Sequence, residues 1–144
     1  MSAFTFRMEK RVRWSEVDPQ QVVFNPNYLV YADIGFTEYM RAIGLPFPNP
    51  LLEESGTDIF LVRAEVDFRA SARFDDLLDI GVRTARIGRS SFTVAIEIRR
   101  GDELLAGIVN IYANADAAAG RSAPLPPGII DRILAYEATA PDRA

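Results

Sequence analysis

The chain has 144 residues, of which 49% are apolar and 25% are charged, and it carries a net charge of -4 at pH 7. This length predicts a single domain over residues 1–144, the negative charge disfavours binding to nucleic acid, and no apolar run reaches the roughly 20 residues of a membrane span. Histidine and cysteine are both absent, which excludes Ser-His-Asp and Cys-His catalysis and zinc sites with thiolate or imidazole ligands. Acid–base or nucleophilic chemistry must therefore come from Asp, Glu, Ser, Thr, Tyr or the single lysine, Lys10.

The first half of the chain predicts a strand, a polar loop and a long helix. Residues 1–14 show no export-signal pattern, so we expect a cytoplasmic protein. Apolar and polar side chains alternate over residues 5–14, as in a half-buried strand, and residues 15–26 are rich in turn formers. Apolar side chains at spacings of three and four predict a helix over residues 27–43. Gly35 costs this helix about 1 kcal/mol relative to alanine, which a close approach to a sheet would explain.

The second half predicts four strands and a short helix. The four segments are marked by alternating apolar side chains and separated by turn signals: residues 59–68, 77–86, 91–99 and 103–115. The tail predicts a helix over residues 126–136, with its apolar side chains directed inward: Ile129, Ile130, Ile133 and Leu134.

This order of elements predicts the α+β class and the hotdog fold, in which a curved antiparallel sheet of five strands wraps around one long central helix. Three consecutive hairpin-like connections imply that the sheet is antiparallel, and the helix must cover one of its faces. Phe36 and Tyr39 are expected in that interface. The other face and the sheet edge would remain exposed, so we expect a homodimer or a homotetramer.

Asp18 is the residue of greatest chemical interest, because it lies in the polar turn between the predicted strand and helix. The helix and a partner subunit could partly bury its carboxylate there. Backbone N–H groups at the start of the helix, near Asn25, would favour a negative oxygen that develops during acyl transfer. Spacing alone favours a simpler interpretation, in which Asp18 only begins an Asp-Pro turn or caps the helix.

Glu16 precedes Asp18 by two residues and would point to the same side of an extended segment. Two neighbouring carboxylates could share a proton. The alternative, which we favour, is that Glu16 pairs with an arginine and shapes the loop.

Several motifs extend this reasoning along the chain. Residues 11–28 contain an ordered series of positions: Trp14, Glu16, Val17, Asp18-Pro19, Val22-Val23, Phe24 and Pro26-Asn27-Tyr28. Later motifs follow at matching places: Ala70-Ser71-Ala72-Arg73, Asp75-Asp76, Gly88-Arg89-Ser90-Ser91-Phe92, Gly120-Arg121 and Pro124-Leu125-Pro126. In this order they resemble the 4-hydroxybenzoyl-CoA thioesterase family of hotdog proteins over nearly the whole chain.

The resemblance implies hydrolysis of an acyl-CoA thioester to a free acid and CoA, with no metal or organic cofactor. Asp18 would act as nucleophile or general base, and a backbone N–H near Asn25 would polarise the carbonyl. The acyl group would occupy an apolar pocket between the helix and a partner subunit, and basic turns would bind the phosphates of CoA. The candidate substrate-binding residues are Phe24, Asn27, Tyr28, Tyr31, Phe60, Arg89, Ser90, Ser91 and Arg121, with Arg63, Arg69 and Arg73 as weaker candidates.

The chain departs from the family pattern at Gln20-Gln21, where two small residues are usual and the second is commonly glycine. Gln21 must adopt that backbone geometry and adds bulk near the acyl site. Two other functions stay open. A thioesterase acting on acyl-carrier protein would favour a basic docking face, and a non-catalytic module that binds acyl-CoA is compatible with Gln20-Gln21 and with an Asn25 side chain that cannot titrate. The sequence leaves the acyl group undefined as aromatic, short or long.

Overall fold

The computed structural model describes residues 3–144. Five long strands form the sheet: β1 (Phe6–Arg11), β2 (Asp58–Phe68), β3 (Leu77–Ile87), β4 (Ser91–Arg100) and β5 (Glu103–Asp116). Two strands of two residues each lie beside them: β6 (Arg121–Ser122) and β7 (Asp142–Arg143). The helices are α1 (Asn27–Ala42), α2 (Leu52–Ser55) and α3 (Pro127–Tyr136). None of the helices within residues 3–144 has the length and apolar character that a bilayer crossing requires.

The long strands are arranged in the order β1-β3-β4-β5-β2, and all neighbouring pairs among them are antiparallel. The sheet and the single long helix confirm the predicted architecture. The prediction of three consecutive hairpins is wrong at its first step, because β2 pairs with β5 and not with β3. The connection over residues 69–76 instead carries the chain from one side of the sheet to the other.

Helix α1 packs on the concave face of the sheet through side chains at spacings of three and four. Tyr31, Ala32, Phe36 and Tyr39 are all at most 1% exposed, which confirms the predicted interface. At Gly35 the backbone comes so close that an added Cβ would lie 2.8 Å from Ile80 Cγ2 and 3.0 Å from Val82 Cγ2. The predicted reason for a glycine inside this helix is therefore confirmed.

Strand β2 forms one edge of the sheet, and α1 leaves most of it uncovered. Its register with β5 pairs Ala64 with Asn110 and Val66 with Ile108, which puts both on the face that α1 occupies farther along the sheet. Most of β2 nevertheless remains exposed, including Val62 at 60%. A single subunit therefore leaves part of its apolar surface without a cover.

The C-terminal segment closes the other side of the core. Ile129 and Ile133 of α3 are fully buried, because residues four apart lie on one face of a helix. The inward placement predicted for Leu134 is wrong, since that side chain is 40% exposed on the flank of this narrow stripe. After α3, the buried carboxylate of Glu137 accepts hydrogen bonds from Tyr39 Oη at 2.6 Å and from the backbone N–H of Thr84 at 2.9 Å.

Replacing Gly35 with valine is expected to lower the free energy of unfolding by about 1–3 kcal/mol, the usual cost of overpacking, although valine is the better helix former. The added methyl groups would press on Ile80 and Val82. Chemical denaturation measures the change. Gly107→Val is the matched control, because no atom lies within 4 Å of the position its Cβ would take. Equal stabilities for the two variants would contradict this account of Gly35.

Candidate active site

The segment that connects β1 to α1 leaves the sheet earlier than predicted. Strand β1 ends at Arg11, and a short 3-10 helix follows over Trp14–Glu16. Trp14 is 70% exposed and packs edge-to-face on Phe74, so its predicted place in a strand is wrong. The backbone N–H of Val12 donates to the carbonyl of Asp76 at 2.9 Å, which pulls the chain towards the loop before β3.

Residues 18–21 form a tight turn that fixes one oxygen of Asp18. The N–H of Gln21 donates to the Asp18 carbonyl at 2.8 Å, and the N–H of Gln20 donates to Asp18 Oδ1, also at 2.8 Å. Asp18 Oδ2 has no hydrogen-bond or ion-pair partner among residues 3–144. Gln21 adopts a φ of 66°, the left-handed conformation that glycine takes most easily. This is the backbone geometry expected from the family pattern, in which glycine is common at this position.

The start of α1 offers one unused backbone donor. The N–H groups of residues 27–29 donate to carbonyl oxygens three residues back, at 2.8–3.2 Å. No side chain caps the helix, so the alternative in which Asp18 is a helix cap is wrong. Within residues 3–144, the N–H of Asn25 has no acceptor. A free donor beside the positive end of a helix can stabilise an oxygen on which negative charge develops.

Asp18 and Asn25 line the same open cavity of about 310 Å³, together with Gln20, Tyr28, Phe68 and Arg69. Tyr28 is buried, accepts a hydrogen bond from the Ala72 N–H at 2.9 Å, and contacts Phe68 edge-to-face with ring centres 5.3 Å apart. Phe68 was not a candidate from the sequence. The alternation of apolar side chains over residues 59–68 predicts a strand, but it does not show that the end of β2 meets the loop before α1.

Glu16 forms a compact polar contact beneath this loop. Its Oε1 accepts hydrogen bonds from the Arg13 N–H at 2.8 Å and from Tyr31 Oη at 2.9 Å, and it pairs with Lys10 Nζ at 3.2 Å. Burial by itself raises the pKa of the Glu16 carboxyl, but the hydrogen bonds from Arg13, Tyr31 and Lys10 together outweigh burial and lower the pKa. The predicted pairing with an arginine side chain is wrong, because the cation is Lys10.

Several predicted substrate contacts lie around the cavity rather than on it. The Tyr31 ring is fully buried and its hydroxyl is held by Glu16; burial and then this carboxylate raise its pKa. Asn27 Nδ2 donates to the Glu16 carbonyl at 3.0 Å, and Phe24 is 51% exposed on the loop. Phe60 pairs with Ala113, on the sheet face that points away from α1. The structure therefore does not bring Phe60 to the cavity.

The predicted phosphate-binding residues form a separate group. Arg89 and Ser90 lie in the hairpin between β3 and β4, and Ser91 begins β4. The N–H of Leu125 donates to the Arg89 carbonyl at 2.8 Å, which holds the segment after Arg121 against this hairpin. Both arginine side chains are exposed. The structure thus brings these four candidates to one end of the sheet.

Asp18 lies near the opposite end of the same sheet. Phe68, which shares its cavity, pairs with Ala106, and Ala106 pairs with Ile98 of β4. Ile98 follows Ser91 by seven residues, which is about 23 Å of extended strand. Within one subunit, the basic hairpin and the Asp18 cavity are therefore apart.

Comparison with known proteins places these features in a family. Residues 20–106 match the thioesterase superfamily. A 1,4-dihydroxy-2-naphthoyl-CoA hydrolase from Synechococcus is 27% identical over 137 residues, covering 92% of this chain and 91% of its own. A 4-hydroxybenzoyl-CoA thioesterase from Pseudomonas is 26% identical over 99 residues, covering 68% and 70%.

A solved structure agrees over almost the full length. The crystal structure of a Thermus thermophilus thioesterase complexed with coenzyme A and zinc is 31% identical, has a TM-score of 0.81, and covers 95% of this chain and 97% of its own. Within residues 3–144, no cluster of three or more Asp or Glu side chains could hold a metal ion. The sequence match over more than half of the chain and the shared architecture lead to one conclusion: the protein belongs to the thioesterase superfamily and has the hotdog fold.

Proposed function

We propose that the protein hydrolyses an acyl-CoA thioester to a carboxylic acid and CoA, with Asp18 as the catalytic carboxylate. The observation that carries this proposal is that Asp18, with one oxygen free, and the unused N–H of Asn25 belong to residues that line the same cavity. Family membership supports thioester hydrolysis. The names of the two relatives that act on CoA esters support the CoA moiety.

The chemistry follows from these two groups. The thioester carbonyl oxygen accepts the Asn25 N–H, which stabilises the oxyanion as the carbonyl carbon is attacked. Asp18 Oδ2 either attacks that carbon itself, releasing the CoA thiolate and leaving an anhydride that water cleaves, or takes a proton from a water molecule that attacks. The bond from the Gln20 N–H to Oδ1 orients the carboxylate in both routes.

The cavity walls supply the acyl contacts in this proposal. Tyr28 and Phe68 provide an aromatic surface, and Gln20 and Arg69 provide a polar rim. Of the predicted aromatic contacts, Tyr28 is the one that lines the cavity. A cytoplasmic location fits this function, because CoA esters are metabolites of the cell interior.

We further infer that two copies form a homodimer through the exposed edge of β2. Two β2 strands can pair in the antiparallel direction with the Arg63 positions of the two copies opposite each other. The Asp58 end of one copy then lies beside the Phe68 end of the other, because both ends are equally far from Arg63. That arrangement brings Arg89 of the partner subunit towards the Asp18 cavity. Pairing would bury apolar surface at this edge, since Leu61 and Val62 are more than half exposed.

Asp18→Asn is expected to lower kcat by about 10²-fold or more, the contribution of a positioned acid–base group. The asparagine Oδ1 can still accept the Gln20 N–H, so the loop should keep its conformation. Thiol release from a panel of aromatic, short and long acyl-CoAs measures the effect. Asp75→Asn is the matched control: it is an exposed turn carboxylate, and asparagine tolerates its φ of 69°.

Each alternative function has its own outcome in this assay. A wild-type protein that binds CoA esters without turnover would be a binding module. With acyl-carrier-protein thioesters added to the panel, hydrolysis of these thioesters and of no acyl-CoA would replace the proposed substrate. Full activity in Asp18→Asn would show that another group performs the reaction.

The shared site can be tested by subunit complementation. Asp18→Asn and the double variant Arg89→Ala, Arg121→Ala should each be impaired as homodimers, by about 10²-fold in kcat for the first and mainly in KM for the second. A purified heterodimer of the two should regain about half of the wild-type activity, since one of its two sites contains both intact parts. A heterodimer without regained activity would mean that each site lies within one subunit. Sedimentation analysis distinguishes a dimer from a tetramer.

A further inference from the structure

Glu16 connects the two ends of the loop that contains Asp18 and Asn25. Its backbone carbonyl accepts hydrogen bonds from the Phe24 N–H at 2.9 Å and from Asn27 Nδ2 at 3.0 Å. The start of the loop is thereby tied to the first residue of α1. Any shift of Glu16 would move both ends of the segment that carries the free carboxylate oxygen and the free N–H.

The Glu16 side chain is itself held by three different parts of the chain. Lys10 comes from the end of β1, the Arg13 N–H from the entry to the 3-10 helix, and Tyr31 from the second turn of α1. Lys10 Nζ lies 3.2 Å from both carboxylate oxygens and 5.4 Å from the centre of the Tyr31 ring. The Glu16 and Lys10 side chains are 18% and 11% exposed, so solvent screens this contact less than it would a surface ion pair.

The rest of the loop is held by hydrogen bonds within the turn and by contacts to the connection between β2 and β3. Within the turn, the Asp18 N–H donates to the Val22 carbonyl at 2.9 Å, and Val17 forms an isolated bridge with Val23. Val22 forms an isolated bridge to Arg73, and the Val23 N–H donates to the Ala72 carbonyl at 2.9 Å. These contacts anchor the far side of the turn to the connection between β2 and β3. Glu16 alone links the near side of the turn to both β1 and α1, within the part of the chain that the structure describes.

We propose that Glu16 is a positioning residue for the hydrolysis, holding Asp18 and the Asn25 N–H at a fixed separation through its contacts to Lys10 and Tyr31. This inference rests on the proposed role of Asp18. Glu16 does not line the cavity, so it acts through the loop and not on the substrate. The negative charge of Glu16 is necessary, because its carboxylate accepts hydrogen bonds from an ammonium group, a phenol hydroxyl and a backbone N–H at the same time.

Glu16→Gln tests the charge with little change in shape. The amide oxygen can still accept two of the donors, but the NH₂ group would face the Lys10 ammonium, donor against donor. The expected result is a kcat lowered by about 10-fold to 100-fold, the range for small misplacements of reacting groups, with KM changed by less than about threefold. Activities are compared at equal folded concentration.

Glu137→Gln is the matched control, because Glu137 is also a buried carboxylate that accepts a tyrosine hydroxyl of α1. A merely structural loss would affect both variants alike, whereas positioning predicts a kcat within about twofold of wild type for Glu137→Gln. Amide hydrogen exchange gives a readout that does not depend on activity. Exchange of the Asp18, Gln21 and Phe24 N–H groups should be at least about 10-fold faster in Glu16→Gln and unchanged in Glu137→Gln.

The outcomes separate this inference from the proposed function. An active wild type with an unimpaired Glu16→Gln, or equal loss in the two glutamine variants, would overturn the positioning role and leave the thioesterase proposal intact. If the wild type hydrolyses no thioester, the proposed function fails and hydrogen exchange alone decides whether Glu16 orders the loop. If Glu16→Gln does not fold, Tyr31→Phe removes a single hydroxyl and should lower kcat in the same direction.

Discussion

The close contact between α1 and the sheet at Gly35 is the constraint on which the other features depend. A helix can approach a sheet this closely only where no side chain separates them, and here the methyl groups of Ile80 and Val82 fill that space. The contact fixes the axis of α1, and the aromatic side chains on either side of it bury themselves against the strands. The first turn of the helix is thereby directed to the end of the sheet where Tyr28 meets Ala72.

The composition then limits what chemistry this geometry can perform. Without histidine or cysteine, the proposed mechanism relies on a carboxylate and a backbone N–H. A thioester is suited to such a site, because its sulfur leaves readily as a thiolate and needs no strong general acid. In the proposed mechanism, the turn that fixes one oxygen of Asp18 and the helix start that leaves one N–H unused would supply two complementary groups without a histidine.

In the proposed homodimer, the exposed edge of β2 would connect stability with function. Helix α1 contacts this edge strand at Phe68, through Tyr28, but leaves most of it uncovered, so the subunit retains apolar side chains such as Leu61 and Val62 on its surface. Pairing of two such edges would bury them and satisfy the unpaired strand N–H and C=O groups. Within one subunit, the basic hairpin and Asp18 lie at opposite ends of the sheet. The same pairing would bring the hairpin of one subunit towards Asp18 of the other. We therefore expect that pairing of the two β2 edges both assembles the dimer and completes the active site.

The sequence by itself determined the features that depend on local periodicity. The helix predicted over residues 27–43 is α1, Asn27–Ala42, and the alternation of residues 91–99 marks β4, Ser91–Arg100. Only the tertiary structure decided that β2 pairs with β5, that the partner of Glu16 is Lys10, and that the basic hairpin lies far from Asp18. These depend on contacts between residues distant along the chain, whose partners are chosen by packing and hydrogen bonding of the whole fold, and no local pattern encodes that choice.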